Sequence, residues 1–97
     1  MNEEQFRQRA QEQGYGAVET KDYVPNRDGP LHTHEFSVML LVVEGQFALA
    51  FEDGKTDYRP GEVCDLAANV MHTERAGPMG AKVLLAKRGA GISIAAS

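Results

Sequence analysis

The stretch His32-Thr33-His34-Glu35-Phe36-Ser37-Val38-Met39-Leu40-Leu41-Val42-Val43-Glu44-Gly45 decides how the chain is read. It joins two histidines to an apolar run that is β-branched and aliphatic, as strands are, and far too short to cross a bilayer. A strand sends alternate side chains to one face, so His32 and His34 aim the same way, and Phe36, Val38 and Leu40 follow on that face. Residues 37–43 are apolar on both faces. One face fills a barrel; the other must be kept from water by a helix or by a second subunit.

Working outward, Glu44-Gly45 is expected to turn the chain, and residues 46–52 alternate with Phe47, Leu49 and Phe51 on one side. Asp53-Gly54 is a two-residue hairpin signal, 55–59 returns, Pro60-Gly61 turns again and 62–66 is a further strand. Residues 17–24, 72–76 and 82–88 complete the set, with 25–30 a loop by composition. Short strands broken at this spacing predict an all-β sandwich or barrel. Residues 1–14 read as a helix: Asn2 and Gln5 have capping-box spacing, Phe6 and Ala10 share a face, and Gly14 stops it. The thin apolar stripe places this helix on the outside of a barrel formed by 15–97. The tail, 89–97, is rich in small residues and reads as an edge strand or a mobile end.

The 97 residues make one domain of marginal core size, which a homodimer would help. The net charge is −4 and the basic residues are scattered, which argues against a nucleic-acid partner. No apolar run reaches membrane length, so no membrane role is expected. The only cysteine, Cys64, rules out an intrachain disulfide and suits a reducing compartment. Met1-Asn2-Glu3-Glu4-Gln5 is acidic and polar where a secretion signal is basic and then apolar, so a cytoplasmic protein is expected.

The chain has three histidines. His32 and His34, two apart on a strand, can chelate one divalent ion, and His72 adds a third ligand if its strand lies beside theirs. Imidazole serves Zn, Fe, Ni, Mn, Co and Cu alike, so the ligands leave the metal open. An H-x-H pair alone is more often a surface accident than a site, and one later histidine adds little. The surrounding residues carry the case.

Residues 26–45 and 61–76 resemble the two motifs of the cupin superfamily, whose small RmlC-like members are single jelly-roll barrels. The first motif runs G-x5-H-x-H, three or four residues, Glu, six residues, Gly; His32, His34 and Gly45 match it. The second runs G-x5-P-x-G-x2-H-x3-N; Gly61 and His72 match, and Pro60-Gly61-Glu62 is similar to its usual Pro-Gly-Asp opening. The resemblance implies a double-stranded β-helix with one metal held by His32, His34 and His72. The departures are specific: Val38 stands where the motif places its metal-binding Glu, Asn26 replaces the leading Gly, and Ala67, Asn69 and Ala76 replace Pro, Gly and Asn. Asn tolerates the left-handed conformation best after Gly, so Asn69 can keep the turn.

Glu74 shares the face of His72 on a regular strand, as a substitute ligand, a general base or an orienting partner, or else as a solvated rim charge. Glu35 and Thr33 alternate away from the histidines. Phe36, Val38, Leu40 and Met71 are expected to line the barrel mouth and favour a small, partly apolar molecule. Cys64 reads as a small buried hydrophobe, Tyr58 and Arg59 as surface residues, and Tyr15 and Tyr23 carry no signal. The function expected first is a metal-dependent enzyme acting on a small molecule, by oxygenase-, isomerase- or lyase-like chemistry across the superfamily. The alternatives are a non-catalytic ligand sensor and a purely structural barrel.

Overall fold

A computed structural model describes residues 1–89; apart from Gly89, the tail read as 89–97 lies outside that range. Helix α1 (Glu3–Glu12) is followed by β1 (Glu19–Tyr23), β2 (Phe36–Phe51), β3 (Gly54–Tyr58), β4 (Val63–Leu66) and β5 (Thr73–Gly89). All pairings are antiparallel, in the order β1-β5-β2-β3, with β4 also on β2.

Two strands are longer than their turn-like residues suggested. Glu44-Gly45 does not reverse the chain; β2 runs through it, with register shifts at Val42/Glu44 and Gly45/Phe47. Gly45 has φ +81° and faces Gly80 of β5, itself at φ +77°, so closely that a Cβ at 45 would overlap the Gly80 carbonyl. Two bare glycines let the strands bend past each other, as bulges do. The bend also changes parity. Val38, Leu40 and Val42 face the interior before it, Phe47 and Leu49 after it. On β5, Ala76 faces inward before Gly80 and Ala81, Val83 and Leu85 after it. Strict alternation across either bend would have put half of each strand on the wrong face. The β2–β3 hairpin turns at Glu52-Asp53, one residue before the expected position, because Phe51 pairs with Gly54.

The opposite face of the sheet carries Met39, Leu41, Leu84 and Ala86, and α1 covers it with Phe6 and Ala10. Phe6 is fully buried, worth roughly 2–3 kcal/mol of apolar transfer. The helix begins as its spacing implied: Asn2 accepts from the Gln5 amide at 2.8 Å and the Gln5 side chain accepts from the Asn2 amide at 3.0 Å. Of the two covers available for the outer face, this one is built into the chain. No helix among the described residues is long and apolar enough to cross a membrane.

Candidate metal centre

The segment before β2 runs beside the start of β5. His32 and His72 form an antiparallel bridge, each amide donating to the other's carbonyl at 2.9 Å. Residues directly opposite in such a pair project to the same face. The third histidine is thereby brought to the H-x-H pair, with ring centroids 4.4 to 4.9 Å apart among the three. Two asparagines set the path of these segments: Asn69 (φ +64°) and Asn26 (φ +60°) both adopt the left-handed conformation at positions where the motifs have Gly. The Asn69 amide donates to the His34 carbonyl at 2.7 Å, which ties the turn before His72 to the first ligand pair.

Glu74 completes the cluster. One donor atom from each of His32, His34, His72 and Glu74 lies within 4.8 Å of the others. Glu74 Oε2 stands 3.5 Å from His32 Nε2 and 3.4 Å from His72 Nε2. Its other oxygen, Oε1, accepts a 2.9 Å hydrogen bond from the buried Tyr23 hydroxyl, which fixes the carboxylate in that orientation. Tyr23 had no signal in the sequence; its role depends on β1 pairing with β5, 51 residues away. Val38, at the motif's Glu position, is buried in the core and offers no ligand atom.

Hydrogen bonds assign the imidazole protons. His32 Nδ1 faces the Pro30 carbonyl and His72 Nδ1 the Val70 carbonyl, each at 2.8 Å. A carbonyl only accepts, so each Nδ1 carries hydrogen and each Nε2 is the ring atom left to meet Glu74. At Nε2 the ring either donates an N–H to the carboxylate or offers a lone pair to a cation shared with it. The His34 Nδ1 is buried without a hydrogen-bond partner. Burial first, then the neighbouring His72 and His32, hold the His34 ring below its ordinary pKa, with Glu74 acting the other way; this favours the neutral, metal-binding form. For Glu74, burial is the largest influence and raises the carboxyl. The Tyr23 hydrogen bond, Lys21, His32 and His72 together outweigh it, so the group sits below its ordinary value and is ionised at neutral pH.

The donor set suits a divalent ion. Tetrahedral bonds of 2.0–2.1 Å to nitrogen or oxygen give ligand-to-ligand edges of about 3.4 Å. The two Glu74–imidazole separations, 3.4 and 3.5 Å, match that edge. The cluster could therefore hold one ion with three neutral imidazoles and one carboxylate.

A cavity of about 560 Å³ opens beside the histidines, floored by Phe36, Val38, Leu40 and Leu85. The Phe36 ring stacks on His34 at 4.8 Å. Met71 does not join this lining: it is 48% exposed, because the residue next to inward-facing His72 must point outward. Glu35 and Thr33 also lie on the outside. Tyr58, read as a surface residue, packs partly buried against the core that contains Cys64.

No protein-family model and no curated protein matches the chain. Solved structures do. A cupin-2 domain protein from Shewanella frigidimarina superposes with TM-score 0.66 at 19% identity, over 73% of this chain and 68% of its own. This is a cupin fold. An RmlC-like cupin from the same organism gives 0.66 at 19% identity, over 79% of this chain and 68% of the other. A structure of the DMSP lyases RdDddP and RnDddQII gives 0.69 at 24% identity, over 77% of this chain and 39% of that chain. These likenesses establish the architecture.

Proposed function

We propose that this cupin is a metal-dependent enzyme acting on a small molecule, with His32, His34, His72 and Glu74 holding one divalent transition-metal ion. The observation that carries the reading is the convergence of one donor atom from each of the four side chains within 4.8 Å, with the buried Nδ1 of His34 lacking any hydrogen-bond partner. Glu74 takes the place of the motif Glu lost at Val38. It reaches the ion from the second motif's strand instead of the first. Such an ion, when bound, would supply Lewis acidity or a redox centre. His32 and His72 are oriented through Nδ1 by backbone carbonyls. Tyr23 orients Glu74 by holding Oε1, leaving Oε2 as the atom that would hold the ion together with the imidazoles. Phe36, Val38 and Leu40 keep water from the cavity floor. A structure of DMSP lyases among the structural neighbours supports a lyase-like reaction as one option. A homodimer in a reducing cytoplasm belongs to the same reading, supported by the exposed apolar Leu31, Met71 and Met79 and by the buried lone thiol.

The test is elemental analysis of tag-free protein beside the His32→Ala variant, whose side chain is partly exposed and so removable without a core cavity. One ion per chain, lost in the variant, is the expected result. No ion in either protein after reconstitution with each candidate metal under reducing conditions would overturn the metal centre.

A further inference from the structure

The inner faces of β1 and β5 carry charges where a barrel interior ordinarily has aliphatic side chains. In an antiparallel pair, opposed residues share a face. Lys21 is opposed to fully buried Val83, and Lys87 to buried Val38, so both lysines rise from the interior side of the sheet. Aromatic rings hold them there: Lys21 Nζ lies 4.9 Å from the centre of the Tyr23 ring and Lys87 Nζ 5.1 Å from that of Phe36. Arg27, from the loop before the histidines, joins them on the wall of the same cavity. The acids on that wall are accounted for. Glu74 faces the imidazoles, and Glu19 lies 3.9 Å from Lys87. Among the described residues, Lys21 and Arg27 form no ion pair. Both remain exposed to the cavity mouth.

We infer that the cavity takes a small organic acid, its anionic end between Lys21 and Arg27 and its apolar body over Phe36, Val38 and Leu85. The inference rests on the metal-centre reading only in placing the reacting end of that acid near the histidines. Two cations that form no ion pair among the described residues, with Lys21 sensing Glu74 only at longer range, stand beside an apolar floor and attract an anion with a short hydrocarbon body. They repel a cation, and give a neutral molecule of the same shape only the floor.

The probes are butyrate, butyramide and butylammonium, which differ in charge at nearly constant shape. They are titrated by NMR into the full chain at fixed ionic strength, with and without reconstituted metal. Butyrate is expected to bind at least tenfold more tightly than butyramide, and butylammonium not at all. Lys21→Gln/Arg27→Gln should weaken butyrate at least tenfold while metal content, circular dichroism and butyramide binding stay unchanged. Butyrate binding that survives in metal-free protein and is lost in the double variant supports the inference even if the metal centre fails. Equal binding of the three probes would overturn it. So would butyrate binding that needs the metal and ignores the double variant, and either result leaves the metal centre intact.

Discussion

Replacing Tyr23 by Phe removes one hydroxyl while keeping the ring against Phe47, whose centre lies 5.1 Å away. No cavity opens, so the change isolates the 2.9 Å hydrogen bond to Glu74 Oε1. A hydrogen bond to an ionised group contributes about 1.5–3 kcal/mol. The Glu74 side chain keeps 16% exposure, and solvent screening favours the lower half of that range, about 1.5–2 kcal/mol. In a domain of this size that lowers Tm by roughly 10 °C. The effect should depend on pH in a definite direction. Glu74 is held below its ordinary carboxyl value of 4.5, so its contribution to stability is present in full above that value. The contribution fades as pH falls through the lower folded-state value, where the carboxylate takes up a proton. The gap between wild type and Tyr23→Phe, measured by urea denaturation with a chelator present, should be widest at pH 7 and should narrow as pH falls below the ordinary carboxyl value and through the lower folded-state one. If Glu74 holds an ion as proposed, metal affinity should fall about tenfold. Equal stability at pH 7, or a gap that does not narrow while NMR shows Glu74 taking up its proton, would refute the argument that Tyr23 supports an ionised Glu74.

Gly45→Ala should destabilise the fold by roughly 3 kcal/mol or more, because the site needs a positive φ and a Cβ would meet the Gly80 carbonyl; thermal denaturation reads this directly. Burial and then Asp65 push the Cys64 thiol up to about 12, against a hydrogen bond with Tyr58, so Cys64 should resist a thiol reagent at pH 8 until denaturant exposes it. Rapid labelling of the native protein would contradict that.

The pair His32 and His34 and the inward-facing Phe36, Val38 and Leu40 were legible in the sequence because they depend on local order, whereas His72 entered as a candidate through the resemblance. Side-chain alternation along a strand is fixed by the backbone over a few residues, and the residues around the histidines resembled a known pattern of spacing. Helix α1 was legible for the same reason, since its cap and its buried stripe lie within twelve residues. Glu74 was visible as a candidate, but its face depended on which way the strand after His72 ran.

The tertiary structure alone decided the rest. Glu44-Gly45 reads locally as a turn, yet it is a bulge within β2, because the closeness of Gly80 is a contact between residues far apart in the chain. That bulge and its counterpart at Gly80 switch which residues face inward, and no local period reports a change of parity. Tyr23 reaches Glu74 and Lys21 reaches the cavity through the pairing of β1 with β5, and Lys87 reaches it through the pairing of β5 with β2. A residue's chemistry is written in its own side chain; the partner that gives the chemistry its use is chosen by strand register, which belongs to the whole sheet.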